Sequence, residues 1–268
     1  MLTVSQLFIY PIKSLGGIPV SSAVVTDRGF EHDRRWMLVD VQNRGLTQRE
    51  LPQMARLQPS IGDDGLTIRA MDQPADDLLV PFDAAGGEEE VTIWNATCNA
   101  RRVGDSVDTW FSEQLDTPCR LFFMPDATMR PVDTTSGYAP VGKFTSFSDA
   151  YPFLLVSEAS LDDLNARLDS PISMLRFRPN IMIKGGTPYR EDEIEEFTIN
   201  QVRFTGLENC ARCQVPNVDP STGVPNPQKQ PLRTLASYRT QDKKINFGRN
   251  LVHSGTGTVR VGDEIQLG

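Results

Sequence analysis

Three short apolar runs near the N-terminus decide the fold class: Val4-Ser5-Gln6-Leu7-Phe8-Ile9-Tyr10, Val20-Ser21-Ser22-Ala23-Val24-Val25 and Trp36-Met37-Leu38-Val39. Pro11 ends the first run, and the turn Gly16-Gly17-Ile18-Pro19 precedes the second. Short apolar runs bounded by Gly, Pro and Asp are typical of β-strands. They therefore predict a barrel or a sandwich rather than alternating β and α units.

Two amphipathic segments predict helices within this β-rich chain. Residues 106–115 can place Val107, Trp110, Phe111 and Leu115 on one face, and residues 157–168 repeat leucine at helical spacing after a capping serine. Apolar runs after residue 180 predict further strands, and residues 257–267 predict a C-terminal hairpin around a Gly-Asp turn. Acidic residues 72–90 predict a surface excursion, and residues 128–148 an ordered loop or linker. The pattern predicts a mainly β α+β protein in two parts.

Composition limits the function. The 268 residues suffice for one large or two small domains, and no apolar run reaches the roughly 20 residues of a membrane helix. The N-terminus has no basic region followed by an apolar stretch, so we expect a cytoplasmic protein without a membrane segment. The net charge of −8 argues against nucleic acid as a partner. An anionic small ligand would need a local basic pocket.

The Cys210-Ala211-Arg212-Cys213 segment is the strongest chemical signal. A structural zinc site would need a second ligand pair, and a thioredoxin-like dithiol would need a helix after the motif, which Pro216 opposes. A thiolate ligand to a soft metal fits the segment, since Arg212 would help to keep a sulfur anionic. Two small buried side chains in a core strand are the plain alternative. The two histidines of the chain are too few for a multi-histidine metal site.

Three basic segments are candidates for holding an anion. Lys13 and Ser14 lie in a glycine-rich turn, where ammonium, hydroxyl and backbone N–H groups can all donate to a phosphate. Arg34 is followed by Arg35 before an apolar run, so at most one of the two points inward. Arg178 precedes a proline, which predicts an extended backbone there. Taken alone, the Lys13-Ser14 and Arg178 segments are more typical of ordinary surface loops, and an inward arginine at 34 or 35 could pair with Asp or Glu instead of a ligand.

Together these segments resemble the MOSC family, in particular its amidoxime-reducing branch and the bacterial relatives of that branch. The matching motifs run in the family's order over nearly the whole chain: Tyr-Pro-Ile-Lys-Ser at 10–14, Asp-Arg-Arg-Trp at 33–36, Thr-Gln-Arg at 47–49, Ser-Glu-Ala-Ser-Leu at 157–161, Phe-Arg-Pro-Asn-Ile at 177–181, Cys-Ala-Arg-Cys at 210–213, Val-Asp-Pro-Ser-Thr-Gly at 218–223, Pro-Leu-Arg-Thr-Leu at 231–235, Ser-Tyr-Arg at 237–239 and Val-Gly-Asp at 261–263. The sequence also resembles the C-terminal region of molybdenum cofactor sulfurases.

The resemblance implies an architecture and a cofactor. It implies two β-barrel-like domains, a MOSC N-terminal domain at 1–120 and a MOSC domain at 121–268, with a molybdenum cofactor (Mo-molybdopterin) between them. By the same resemblance, Cys213 is the metal ligand and catalytic residue. Lys13, Ser14 and Arg34 match positions at the phosphate end of the cofactor. Arg178 and Asn180 match positions near the pterin.

The resemblance also implies an activity, the reduction of small N-hydroxylated compounds with electrons from a separate donor: a ferredoxin-like protein, a flavoprotein or a cytochrome. At the level of the whole family it implies pyridoxal phosphate binding as well. Two threonines that often follow the ligand cysteine are replaced here by Pro216 and Asn217. The alternatives are a carrier of the cofactor, a sulfur-transfer protein with a persulfide on Cys213, and a plain binding protein for a phosphorylated ligand. Asp219 is a candidate for positioning a basic substrate.

Overall fold

The computed structural model describes residues 1–71, 77–133 and 140–268. Within these ranges the chain is mainly β with three α-helices, which confirms the predicted fold class. The strands are β1 Leu2–Ile9, β2 Ile18–Val20, β3 Ser22–Thr26, β4 Gly29–Phe30, β5 Trp36–Val39, β6 Leu57–Ile61, β7 Gly65–Ala70, β8 Leu78–Pro81, β9 Glu88–Ile93, β10 Ala96–Arg102, β11 Arg120–Phe123, β12 Phe153–Ser157, β13 Ile181–Lys184, β14 Glu196–Ile199, β15 Val202–Ala211, β16 Thr240–Gln241, β17 Lys244–Ser254, β18 Gly257–Arg260 and β19 Glu264–Leu267. The helices are α1 Asp105–Leu115, α2 Glu158–Asn165 and α3 Leu232–Ala236.

A closed barrel of seven strands is the centre of the fold. Its strands follow the order β12-β13-β1-β19-β14-β15-β17, and β17 pairs with β12 to close the ring. All seven strands contribute to one buried apolar cluster. Strand β1 comes from the N-terminus, whereas the other six follow residue 150. The division of the chain at residue 120 stays a proposal about sequence segments, because strands from both sides of it pair in this barrel.

Strand β1 shows how its sequence becomes a barrel wall. The register of β1 against β13 shifts between Val4 and Gln6, which is a β-bulge. Because the bulge adds one residue, Val4 and Leu7 both belong to the barrel cluster although they are three positions apart. Phe8 and Tyr10 belong to a second cluster outside the barrel, the outer cluster, together with side chains of α2 and α3. Tyr10 thereby faces away from the barrel interior.

The rest of the N-terminal half packs beside the barrel. A sheet in the order β5-β11-β10-β9 and a sheet in the order β6-β7-β8 contribute to its buried clusters, and α1 packs there with Val107, Phe111 and Leu115 buried. The predicted face of α1 is therefore confirmed. The predicted serine cap of α2 is confirmed too, since the Ser157 hydroxyl accepts from the Ser160 N–H, but α2 ends at Asn165 rather than near Leu168.

Two local predictions were wrong. Residues 257–267 do form two strands, but they make no hairpin: β18 pairs with β3, and β19 pairs with β1 and β14. The surface excursion at 72–90 contains β8 and the buried residues Val80 and Ala84, because this stretch packs on the N-terminal core. Residues 72–76 lie outside the described ranges. So do residues 134–139 of the predicted 128–148 loop, which has neither helix nor strand where it is described.

The helices of the described ranges include none that is long and apolar enough to cross a bilayer.

Candidate cofactor site

The six residues singled out from the sequence converge on one cavity of about 340 Å³. Lys13, Ser14, Arg34, Arg178, Asn180 and Cys213 all line it. Its charged lining consists of six basic and two acidic side chains: Lys13, Arg34, Arg49, Arg178, Arg212, Lys244, Asp149 and Glu208. A basic cavity in a chain of net charge −8 is a local reversal of sign. The expected convergence of basic groups near Cys213 is confirmed, and the arrangement suits an anionic ligand.

Backbone pairing brings the first two basic segments together. The Lys13 N–H donates to the carbonyl of Trp36 at 2.8 Å, and the Arg34 N–H donates to the carbonyl of Tyr10 at 2.8 Å. The turn after β1 therefore runs alongside the residues that enter β5. Gln48 supports this turn from the side, because its amide donates to the carbonyl of Ser14 at 2.6 Å. Lys13, Ser14 and Arg34 thus form one wall, although the two segments are twenty positions apart.

Lys13 is a buried ammonium with two protein partners. Its Nζ donates to the carbonyl of Phe147 at 2.9 Å and forms an ion pair with Asp149. Burial lowers the pKa of Lys13, whereas the carboxylate of Asp149 opposes that shift. Burial would raise the pKa of Asp149, but Lys13, the Trp94 N–H and Arg49 together hold it well below its usual range. Each group of the pair therefore favours the charged form of the other.

Arg34 and Asn180 connect the two walls of the cavity. The Arg34 guanidinium donates to Asp33 at 2.6 Å, to the side-chain oxygen of Asn180 at 3.0 Å and to the carbonyl of Arg178 at 3.3 Å. Although burial opposes the charge, Asp33 raises the pKa of Arg34. The Asn180 amide is fully engaged, since its oxygen also accepts from the Leu154 N–H and its nitrogen donates to the carbonyl of Phe8. Asn180 therefore fixes Arg34 more than it offers groups to a ligand.

Arg178 carries an unfilled donor. One of its terminal nitrogens donates to the carbonyl of Leu15, but Nη2 is buried and has no hydrogen-bond partner among the described residues. Within those residues Arg178 also has no carboxylate ion pair. Burial and the neighbouring Arg34 lower the pKa of Arg178 to about 10. An acceptor-rich anionic ligand would complete this group, because a buried N–H without a partner costs about 1–3 kcal/mol.

Three of the six residues have a left-handed backbone. The φ angles are 68° at Ser14, 51° at Arg34 and 56° at Arg178. The extended backbone predicted for Arg178 was wrong, because its N–H turns back to the carbonyl of Leu175 at 3.3 Å. The prediction that at most one of Arg34 and Arg35 points inward assumed that both lie on a strand. That assumption was wrong as well, since β5 begins at Trp36. Non-glycine residues in this region are uncommon and cluster at functional sites.

The two cysteines of the CxxC motif differ in their surroundings. Cys210 is near the end of β15 and packs on the outer cluster, and Arg212 donates to its sulfur at 3.1 Å. Burial raises the pKa of the Cys210 thiol, and Arg212 offsets this only in part. Cys213 lies in the loop after β15 and lines the cavity as a free cysteine. Arg212 thus donates to one sulfur of the motif, that of Cys210, and to the carbonyl of Phe177, and its support of a Cys213 thiolate stays a prediction.

Three residues of the cavity, Arg49, Trp94 and Asp149, had no role predicted from the sequence. The Trp94 N–H donates to Asp149 at 3.2 Å, and the Arg49 guanidinium lies 4.2 Å from the centre of the Trp94 ring. The Thr-Gln-Arg motif at 47–49 was a signal for this region, because Arg49 lines the cavity and Gln48 supports Ser14. Asp149 and Trp94 come from stretches without a recognisable motif.

Asp219 lies beside a second cavity of about 490 Å³ rather than in the first. Its carboxylate pairs with Arg176 at 2.6 Å and accepts from Ser221, closing a turn. The expectation that it positions a basic substrate gains no support, since its charge is already neutralised. Asn217, which stands where relatives often have threonine, accepts from the Leu232 N–H at the start of α3.

The structural zinc alternative would need a second ligand pair beside Cys210 and Cys213. In the described ranges, no three His, Cys, Asp or Glu side chains come together as a metal-binding group. Cys98 and Cys119 lie on the N-terminal half, and Cys119 is hydrogen-bonded to Ser112.

Comparison with known proteins identifies the family of this chain. The MOSC N-terminal beta barrel domain matches residues 1–118, and the MOSC domain matches residues 143–266. The chain therefore belongs to the family of proteins that join these two domains, and the resemblance noted from the motifs is confirmed.

Within that family the chain is similar to amidoxime-reducing components. Mitochondrial amidoxime-reducing component 1 of Homo sapiens is 35% identical over 282 residues, which cover 99% of this chain and 82% of that protein. A molybdenum cofactor sulfurase of Oryza sativa subsp. japonica is 34% identical, over 91% of this chain and 31% of that protein. The crystal structure of the YUAD protein from Bacillus subtilis aligns with a TM-score of 0.42 and 9% identity, over 99% of this chain and 94% of that one, a likeness too weak to carry an argument.

Proposed function

We propose that this protein binds a molybdenum cofactor through Cys213 and reduces N-hydroxylated compounds with electrons from a separate donor. The convergence of Lys13, Arg34, Arg178 and Cys213 on one basic cavity carries the proposal. The family supports it, since relatives over nearly the full chain are named amidoxime-reducing components.

The residues of the cavity fit such a cofactor. Lys13, Ser14 and Arg34 offer an ammonium, a hydroxyl and a guanidinium, which suit a phosphate group. Arg178 offers the buried Nη2 that has no partner among the described residues, which suits a carbonyl or ring-nitrogen acceptor on a pterin. Cys213 offers a soft thiolate donor for the metal. Asn180 holds Arg34 in place, so we assign it a positioning role within the cofactor-binding set.

The cofactor supplies two-electron chemistry at the metal. For an amidoxime, two electrons and two protons convert the N–OH group to N–H and release water, giving an amidine. The chain's own residues bind the anionic end, orient the pterin and supply the thiolate ligand. Glu208, which accepts from the Tyr151 hydroxyl at 2.8 Å, places a carboxylate in the cavity lining and can attract a cationic amidine-like group.

The electron donor belongs to the proposal as a class. The sequence contains no Gly-x-Gly-x-x-Gly fingerprint for a nicotinamide or flavin, and its four cysteines cannot supply both Cys213 and a four-cysteine iron–sulfur cluster. A ferredoxin-like protein, a flavoprotein or a cytochrome would fill this role. Cytoplasmic location stays a prediction, because the amidoxime-reducing relatives are named mitochondrial. Pyridoxal phosphate binding also stays a prediction.

The test is an anaerobic assay. Protein from a host that makes the cofactor is mixed with reduced viologen and an aromatic amidoxime, and the amidine is measured. Cys213→Ser is the control for metal-dependent turnover. Amidine formation by the wild-type protein alone supports the proposal. Equal turnover by both proteins, or none by a molybdenum-loaded wild type, contradicts it.

A sulfur-transfer or cofactor-carrier function is the second candidate. The similarity to molybdenum cofactor sulfurases over 91% of the chain favours it. On this alternative Cys213 carries a persulfide or passes on a bound cofactor. Cyanide-labile sulfur on purified protein without molybdenum would decide for the persulfide.

A further inference from the structure

One aromatic ring contacts two of the cationic groups in the cavity. The guanidinium carbon of Arg34 lies 4.7 Å from the centre of the Tyr10 ring, and that of Arg178 lies 4.3 Å from it. The two arginines are 144 positions apart, and Arg34 also donates to the carbonyl of Arg178. Two largely buried like charges repel, so their closeness needs a counterweight. Asp33 pairs with Arg34, while Arg178 has no carboxylate ion pair in the described part of the chain.

We propose that Tyr10 is a positioning residue whose ring holds Arg34 and Arg178 at the spacing required by the anionic cofactor. A ring face attracts a cation through its quadrupole. Since one ring serves both guanidinium groups, it offsets their repulsion before any ligand arrives. The inference rests on the proposed function, because it takes the cofactor as the ligand.

The ring is held firmly by its own backbone and by its neighbours. The Tyr10 N–H donates to Asp33 at 2.8 Å, and the Tyr10 carbonyl accepts from the Arg34 N–H at 2.8 Å. A side chain at Gly17 would collide with the ring, because a Cβ atom there would lie 2.3 Å from Tyr10 Cε1. The glycine-rich turn therefore makes room for the ring as well as for the ligand.

The hydroxyl of Tyr10 takes no part in this arrangement. It is buried and has no hydrogen-bond partner among the described residues. Burial raises the pKa of Tyr10, so the side chain stays neutral. The proposed role thus belongs to the ring, and phenylalanine should perform it.

The experiment compares three variants with the wild type: Tyr10→Leu, Tyr10→Phe and Phe8→Leu. Phe8 is the matched control, since it lies two residues before Tyr10, on β1, and in the same outer cluster but contacts neither arginine in the described cation–aromatic pairs. The loss of molybdenum is followed by gel filtration over time, and the melting temperature of the apoprotein is measured in parallel. The melting temperature reports the packing cost, and the molybdenum loss reports the positioning.

Tyr10→Leu should lose molybdenum about tenfold faster than the wild type, because two cation–aromatic contacts are lost. Tyr10→Phe should retain it, and Phe8→Leu should lower the melting temperature without this loss. Equal molybdenum loss in Tyr10→Leu and Phe8→Leu would reduce Tyr10 to a packing role, and equal loss in Tyr10→Phe would shift the role to the hydroxyl. If Tyr10→Leu does not fold, Tyr10→Met takes its place, because methionine fills irregular gaps. A wild type without molybdenum would overturn the proposed function instead.

Discussion

Arg34 donates a hydrogen bond to the side-chain oxygen of Asn180 at 3.0 Å, across 146 positions of sequence. The same oxygen accepts from the Leu154 N–H, and the amide nitrogen donates to the carbonyl of Phe8. One buried amide, just before β13, therefore ties Arg34 to β12 and β1, the two strands that flank β13 in the barrel wall.

Replacing Asn180 by Ala should destabilise the apoprotein by about 1–3 kcal/mol, because it leaves buried donors and acceptors without partners. It should also accelerate molybdenum loss, since Arg34 is no longer fixed. Urea unfolding and metal analysis measure the two effects. Asn95→Ala, on an exposed turn, is the control and should leave both unchanged. An Asn180→Ala protein as stable as the wild type would show that the amide is dispensable.

The two cysteines should respond differently to serine. Cys213→Ser should abolish turnover and molybdenum binding, because a hydroxyl is a poor ligand for a soft metal. Cys210→Ser should keep most of both, since the Cys210 sulfur packs on the outer cluster and receives an N–H from Arg212. Circular dichroism checks that both variants fold. Equal loss of activity in two folded variants would favour a dithiol mechanism.

Arg176 and Arg178 offer a comparison of neighbouring arginines. Arg176 pairs with Asp219 at 2.6 Å, whereas Arg178 has no carboxylate partner in the described ranges and its pKa is lowered to about 10 by burial. Arg176→Met should therefore destabilise the apoprotein more than Arg178→Met, because it strands a carboxylate. Arg178→Met should accelerate molybdenum loss more. Melting temperatures and metal analysis report the two rankings. If Arg178→Met also lowered the melting temperature more than Arg176→Met, its molybdenum loss would follow from lost stability, and Arg178 would be a structural residue only.

Much of this site could be predicted from sequence because its residues lie in compact motifs. Lys13 and Ser14 follow an apolar run and Cys213 ends a CxxC motif, so local pattern made them candidates, and the ordered set of motifs that resembles the MOSC family singled them out. Asp149 and Trp94 could not be selected, since only the folded chain brings them to Lys13 and Arg49. The net charge of −8 indicated that an anionic ligand would need a local basic pocket, but composition could not locate that pocket.

The fold shows the same division between local and distant effects. Alternation in the apolar runs predicted strands correctly, including both strands of 257–267. Their partners were wrong because a turn at Gly262 can join a hairpin or separate two sheets, and only β1 and β3 decide between these. Arg178 adopts a left-handed backbone against the bias of Pro179, because tertiary contacts outweigh that preference.

Turnover should depend on an external electron donor, because the sequence has no fingerprint for a nicotinamide or flavin. Molybdenum-loaded protein should be inert toward an amidoxime with NADH alone and active with reduced viologen, which donates single electrons directly. The assay is anaerobic amidine formation with each donor. Turnover with NADH alone would reveal a further redox centre.

The molybdenum and pterin content of the purified protein tests whether this chain binds the cofactor through Cys213. The protein is produced in a host that makes the cofactor, and both components are measured per polypeptide. We expect nearly one molybdenum and one pterin per chain, with neither retained by Cys213→Ser. A folded wild-type protein that contains neither, from a host shown to load another molybdenum enzyme, would contradict it.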